Sequence, residues 1–170
     1  MKRRTFTSLV TGLSVAAGLI GTTAMAQDDM RIALVVKALG IGFFEAAAEG
    51  ANEAAAELGN VEIIYTGPTS TTAEGQIEVI NSLIAQGVDA IAISANDPDA
   101  VVPALKRAMD RGITVISWDS GVAEEGRMMH LNPSSTPLIG NTILKLAADH
   151  MPDGGEVAIL SATTTSTKLT

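Results

Sequence analysis

Four side chains of this sequence have the chemistry to bind a sugar: Lys37, Phe43, Phe44 and Asp119. A sugar ring can pack the face that carries its C–H groups on an aromatic ring, and its hydroxyls need charged hydrogen-bond partners. Phe43 and Phe44 can supply the aromatic face. Asp119 can accept from two neighbouring hydroxyls, Lys37 can donate, and such charge-assisted bonds are strong where water is excluded. We therefore predict a ligand site built from these residues.

Each candidate also has a plainer structural interpretation. Phe44 could fill an interface between a helix and a sheet, since paired aromatics at a helix start often split into one buried and one exposed ring. Asp119 could be a turn residue, because turns favour Asp. Trp118 is more typical of packing than of ligand contact. Asn96 could face the cleft, although Asn96 and Asp97 also suit turn and N-cap positions.

Gly40 and Gly42 imitate the opening of a dinucleotide-binding loop, which follows a strand and begins a helix. The pattern fails at its third glycine, where Glu45 would place bulk and negative charge at the position of a pyrophosphate. Phe43 and Phe44 would also block the close approach of the backbone to that group. We therefore expect no nucleotide cofactor.

Hydrolytic and metal chemistry are not supported either. His130 and His150 have no Ser or carboxylate in a recognisable triad arrangement, and the G-x-S-x-G motif is absent from the sequence. The chain has no cysteine, which excludes disulfides, thiolate metal sites and cysteine nucleophiles. We expect a binding protein rather than an enzyme, with no metal and no cofactor.

The elements that position these residues alternate between short β-branched runs and amphipathic stretches, as in an α/β fold. The pattern predicts strands at 32–36, 61–65, 90–93, 113–118, 128–131 and 157–160, and helices at 43–58, 73–86, 98–111 and 137–150. Successive right-handed crossovers give a doubly wound parallel sheet of Rossmann-like architecture. In such a sheet, ligands bind beyond the carboxyl ends of the strands, where the candidate residues lie.

The first residues of the chain have the order of a signal peptide. Basic Lys2, Arg3 and Arg4 precede an apolar run at 9–20, and Ala24-Met25-Ala26 forms an exit site. We expect residues 1–26 to be cleaved after Ala26 and the protein to reach the periplasm, by either the Sec or the twin-arginine route. With no cysteine to carry a lipid, we expect no membrane anchor. The net charge of −8 makes nucleic acid an improbable ligand.

Four segments together resemble one protein family: Ile32-Ala33-Leu34-Val35-Val36-Lys37, Gly42-Phe43-Phe44, Ser94-Ala95-Asn96-Asp97-Pro98-Asp99 and Ile116-Ser117-Trp118-Asp119-Ser120. The sequence is similar to the substrate-binding proteins of rhamnose ABC importers, which belong to the type I periplasmic sugar-binding proteins. The nearest other branch binds autoinducer-2. The resemblance implies two α/β lobes joined by a hinge, closing on a monosaccharide, with an ABC permease in the inner membrane as partner. It also implies ligand contacts at Lys37, Phe43 or Phe44, and Asp119.

Mapped onto this chain, the resemblance makes residues 27–132 an N-terminal sugar-binding lobe. Residues 133–170 would cross the hinge and begin a truncated second lobe, which is largely missing. The function implied is an extracytoplasmic receptor for a monosaccharide, with rhamnose favoured and autoinducer-2 as the alternative. A small flavodoxin-like enzyme is the alternative from another class, and it would need a nucleophile, base or cofactor loop beside the strand ends. A sugar-responsive repressor would need a DNA-binding module ahead of the first strand, where the predicted signal peptide lies.

Overall fold

The computed structural model describes residues 30–160, so the signal peptide predicted at residues 1–26 lies outside the described residues. The strands are β1 (Met30–Val35), β2 (Val61–Thr66), β3 (Ala90–Ile93), β4 (Thr114–Trp118) and β5 (Met129–Leu131). The helices are α1 (Gly42–Leu58), α2 (Ala73–Gln86), α3 (Val102–Asp110) and α4 (Thr136–His150), with a short 3₁₀ turn at Glu124–Gly126 between β4 and β5.

All strand pairs are parallel, in the order β2-β1-β3-β4-β5. Strand order therefore reverses between β1 and β3, which is the point where ligands bind in open α/β sheets. In the register of the neighbouring strands, Val35 of β1 lies opposite Ile93 of β3, and Ile93 lies opposite Ser117 of β4. The predicted fold class is confirmed, because the sheet is parallel and carries helices on both faces.

The main core lies between the sheet and helices α2 and α3. Ile80, Leu83 and Leu105 from these helices are almost fully buried against strand residues such as Val35 and Ile93. Helix α1 packs on part of the opposite face of the sheet.

A smaller cluster on that opposite face holds Leu34, Ala48 and Ala92. Side chains alternate between the two faces along each strand, and both faces are apolar, which explains the continuous β-branched runs in the sequence. The rigid sheet between them positions the loops at its carboxyl edge.

Glycine residues end the first two helices. Gly59 and Gly87 adopt left-handed backbone conformations, with φ of 74° and 66°, and their N–H groups bond to carbonyls of the last helical turn. At the start of α2, the Thr72 hydroxyl accepts a hydrogen bond from the backbone N–H of Gly75. These caps keep the connections short and fix where each helix meets the sheet.

Helix α3 begins at Val102, later than the predicted start at residue 98. The Asp97 carboxylate accepts hydrogen bonds from the backbone N–H groups of Asp99 and Ala100, at 3.0 and 2.9 Å. These bonds close a turn directly ahead of the helix, in which the Asp side chain accepts from the backbone two and three residues on. The turn interpretation of Asp97 is therefore confirmed.

The strand predicted at 157–160 is wrong. These residues adopt no regular structure, and Ile159 and Leu160 are each 92% exposed. A parallel strand needs a hydrogen-bonded neighbour, and within the described residues the sheet ends at β2 and β5 without pairing to this segment. An apolar, β-branched run is therefore not sufficient to form a strand here.

Helix α4 has no buried residue, although its sequence is amphipathic and Ser135 caps its start by accepting from Leu138 N–H. Its exposed apolar side chains include Leu138, Ile143 and Leu146. Between residues 30 and 160, none of the helices combines the length and apolar character that crossing a membrane would need.

Candidate functional site

The candidate site is the carboxyl edge of β1, β3 and β4 together with the start of α1. We call it the rim, formed by Lys37, Phe43, Ser94, Asn96, Trp118 and Asp119. Val35, Ile93 and Ser117 lie side by side in neighbouring strands. Lys37 comes two residues after Val35, and Asp119 comes two residues after Ser117, so both reach the same edge of the sheet. The parallel sheet thus brings residues far apart in the sequence to one edge.

The aromatic pair splits into one exposed and one buried ring. Phe43 is 56% exposed, whereas Phe44 is 4% exposed and packs into the molecule. Trp118 contacts both: it stacks on Phe43 at a centroid distance of 6.2 Å and meets Phe44 edge-on at 5.8 Å. Phe43 is the ring whose face can receive a ligand. Direct ligand contacts of Phe44 and Trp118 stay predictions.

Asp119 sits in a strained turn directly after β4. Its φ of 54° lies in the left-handed region, which Asp tolerates better than most residues. The Ser94 hydroxyl donates to its Oδ2 at 2.9 Å, and its backbone N–H donates to Leu131 O at 3.1 Å. Its Oδ1 has no hydrogen-bond partner in the described part of the chain, so one carboxylate oxygen is held and the other can accept from a ligand.

Lys37 brings the opposite charge to the same edge. The residue as a whole is 9% exposed and therefore largely buried. Its backbone carbonyl accepts a hydrogen bond from Asn96 Nδ2 at 2.9 Å. A cation and a carboxylate at one edge can donate to and accept from the hydroxyls of a neutral ligand.

Asn96 is almost fully buried, and its Nδ2 also donates to Thr72 O at 3.2 Å. Its amide nitrogen thus binds backbone carbonyls, and a contact between Asn96 and a ligand stays a prediction. Its backbone N–H donates to Oε1 of Gln76, a residue that the sequence reasoning missed. Gln76 shares its helical stripe with buried Ile80 and Leu83, so a polar residue on an apolar face was the available signal.

A polar depression of about 390 Å³ adjoins Asp119 at the ends of β4 and β5. Its lining includes Asp99, Arg127, His130 and Asn132. His130 Nδ1 lies 2.9 Å from the Ser117 hydroxyl, and Arg127 Nε donates to Val122 O at 2.7 Å. The depression extends the rim beyond the residues that the sequence singled out.

In the region that the structure describes, no three His, Asp or Glu side chains come together as metal ligands. The side chains at the rim are aromatic, hydroxyl, amide and charged groups, which suit contacts to a small polar ligand.

Residues 32–170 match the model of the periplasmic binding protein domain. The chain belongs to this family. Among curated relatives, a D-ribose/D-allose-binding protein of Pseudomonas aeruginosa is 30% identical over 94% of this chain and 52% of its own length. The chain spans about half the length of the curated relatives it matches.

Solved structures of the family share the fold. A solute-binding protein of an ABC transporter from Clostridium phytofermentans, with bound L-rhamnose, superposes with a TM-score of 0.77 at 36% identity, covering 82% of this chain and 43% of its own. LsrB from Clostridium saccharobutylicum, in complex with AI-2, superposes with a TM-score of 0.70 at 30% identity. The superposition covers 77% of this chain and 40% of LsrB. The Pseudomonas relative and the Clostridium phytofermentans structure are described as binding proteins, which favours a binding protein over the flavodoxin-like enzyme.

Proposed function

We propose that this chain is the sugar-binding N-terminal lobe of an extracytoplasmic solute receptor that captures a monosaccharide for import by an ABC permease. The observation that carries the proposal is the rim, which joins an exposed aromatic face at Phe43 to the opposite charges of Lys37 and Asp119. Family membership supports the same conclusion independently.

In this proposal the ligand lies on the rim with its C–H face against Phe43. One hydroxyl donates to Oδ1 of Asp119, while Oδ2 stays bound by Ser94. Lys37 donates to a hydroxyl or to the ring oxygen. No bond is made or broken, so specificity depends on the fit of hydroxyl positions to fixed donors and acceptors.

Rhamnose is the first candidate ligand. It is a deoxyhexose, and its methyl group adds an apolar edge that suits the aromatic cluster of Phe43 and Trp118. The L-rhamnose-bound relative at 36% identity supports this choice. Autoinducer-2 is the second candidate, because the relative that binds AI-2 shares 30% identity with this chain.

The proposed division of the chain follows from the same resemblance. Residues 27–132 form the sugar-binding lobe, and residues 133–170 cross a hinge and begin a second lobe. Helix α4 lies after this boundary and has no buried residue, which supports its assignment to a different packing unit.

The test is an NMR titration of the ¹⁵N-labelled chain with L-rhamnose, autoinducer-2 and D-ribose, with sorbitol as a control that lacks a ring. We expect L-rhamnose to shift amide signals at Lys37, Phe43 and Asp119 in the millimolar range. Trp118 is the single tryptophan, so its fluorescence gives a second readout at the same place. Shifts no larger with any sugar than with sorbitol would contradict the proposal.

A further inference from the structure

We propose that Gln76 is a positioning residue that fixes the spacing between Lys37 and Asp119 across the rim. The inference rests on the proposed sugar-binding function and assigns a role to a residue that no ligand can reach. Gln76 is fully buried, at 0% exposure, under the loops that follow β1 and β3. A polar side chain in that position needs its hydrogen bonds satisfied, and the way it satisfies them connects the two loops.

The side-chain amide of Gln76 binds three backbone groups. Nε2 donates to Val36 O at 3.1 Å and to Ser94 O at 2.8 Å. Oε1 accepts from the backbone N–H of Asn96 at 2.8 Å. Because Asn96 N–H can only donate, the assignment of oxygen and nitrogen in this amide is unambiguous.

These bonds belong to a continuous path from one charged rim residue to the other. Asn96 Nδ2 donates to Lys37 O, next to the Val36 carbonyl that Gln76 binds. At the other end of the path, Gln76 Nε2 donates to the backbone carbonyl of Ser94. The Ser94 hydroxyl in turn donates a hydrogen bond to Asp119 Oδ2. The path therefore runs from Lys37 through Asn96, Gln76 and Ser94 to Asp119.

The location of this path explains why a polar residue lies in an otherwise apolar stripe. Beyond Val35 and Ile93 the sheet hydrogen bonds between β1 and β3 end with Ser94 N–H to Val35 O, at 2.9 Å. One residue further along, the hydrogen bonds of Gln76 to Val36 O and Ser94 O connect the two chains where they leave the strands and enter the loops of the rim. A side chain held in this way sets loop positions without contacting the ligand, as supporting residues of binding sites do.

The test uses Gln76→Met, which keeps the size of the side chain and removes its hydrogen bonds. The matched control is Gln86→Met, the same change on α2 at an exposed residue that donates to Ser82 Oγ. Ile80→Val is the stability control, because it trims a fully buried residue of α2 whose side chain has no hydrogen-bonding group and so no bond in this path. L-rhamnose affinity is measured for each by the NMR titration.

We expect Gln76→Met to weaken binding by about tenfold or more, the scale of one lost hydrogen bond to a buried group. Gln86→Met and Ile80→Val should stay within about twofold of the wild-type affinity, as expected for changes away from the site. Unchanged affinity in Gln76→Met would overturn the inference alone. A wild-type chain without any sugar response would contradict the proposed function and this inference with it.

A measurement on the wild-type chain keeps the inference testable where Gln76→Met does not fold. The two side-chain amide protons of Gln76 should shift when L-rhamnose binds, although no sugar touches them, because the rim and the amide move together. The exposed side-chain amide of Gln86 is the internal reference. Gln76 amide signals that stay fixed while Lys37 and Asp119 respond would overturn the proposed coupling.

Discussion

Asp119 joins an unusual backbone conformation to a charged side chain. A turn with φ of 54° favours Asp or Asn, and the same turn directs the carboxylate towards Ser94. The turn and ligand interpretations of this residue are therefore compatible. The geometry also makes Asn the natural control, since Asn tolerates the same backbone and differs in charge.

In a complete receptor with both lobes closed on the sugar, we expect Asp119→Ala to weaken sugar binding by about 2 to 5 kcal/mol, because it leaves buried charged and polar partners unpaired. It should also cost about 1 kcal/mol of folding free energy, since Ala is disfavoured in the left-handed region. Asp119→Asn should keep the stability and lose less affinity. The measurements are NMR titration and urea unfolding.

An Asp119→Ala variant with wild-type affinity would show that Asp119 serves only the turn. Loss of binding in Asp119→Ala, with partial binding in Asp119→Asn, would instead assign the carboxylate to the ligand.

At the scale of elements, Glu45 ties α1 to its neighbours. Its Oε1 accepts from Gly40 N–H at 3.2 Å and from the Tyr65 hydroxyl at 3.3 Å, so the start of α1 is linked to the preceding loop and to the end of β2. A carboxylate in the first turn also suits the helix dipole. The residue that breaks the nucleotide motif thus anchors the helix that presents Phe43.

The ionisation of the Tyr65 phenol can be used to measure its contact with Glu45. Burial raises the pKa of the Tyr65 phenol above its ordinary value of 10.0, and the charge and hydrogen bond of Glu45 raise it further. Because the folded pKa exceeds the unfolded one, this contribution to stability is complete below pH 10.0 and falls as pH rises through the folded pKa. Tyr65 is the single tyrosine, so ultraviolet absorbance follows it directly.

We expect Glu45→Gln to lower the Tyr65 midpoint while leaving it above that of the urea-unfolded chain, because burial is the larger cause. Glu49→Gln, one turn along the same exposed helix face, should leave the midpoint unchanged. Equal midpoints in the wild-type and Glu45→Gln chains would show that the carboxylate does not reach the phenol.

Across the whole molecule, apolar surface is covered unevenly. Helices α2 and α3 cover one face of the sheet, while on the other face an open groove of about 350 Å³ remains beside Ile32, Ala92 and Ile116. Helix α4 adds an exposed apolar side. Apolar patches of this kind mark surfaces that other parts of a protein or a partner cover, and they promote association when left open.

We expect this 170-residue chain to bind monosaccharides no more tightly than millimolar. Tight small-molecule sites bury about 70 to 90% of the ligand surface, and a single rim leaves one side of the ring in water. Calorimetric titration of the purified chain with L-rhamnose measures this directly. Micromolar affinity would contradict the expectation and would mean that one rim suffices or that two copies pair around the ligand.

Much of the architecture could be predicted from periodicity, because buried parallel strands and amphipathic helices leave local patterns. Local patterns failed where a competing interaction or a missing neighbour decided the outcome. At α3 the residues after Asp97 form a turn closed by its carboxylate, and the helix begins only at Val102. At 157–160 an apolar run found no strand to pair with.

The sequence by itself determined the parallel α/β order and the placement of Lys37, Phe43 and Asp119 at one edge, because the carboxyl ends of parallel strands share an edge wherever they lie in the chain. Only the tertiary structure decided that Phe43 faces out and Phe44 faces in. It alone revealed that Gln76 connects the loops of that edge. Both outcomes depend on contacts between residues distant in sequence, such as Trp118 with Phe43 and Gln76 with Val36, and no local pattern encodes them.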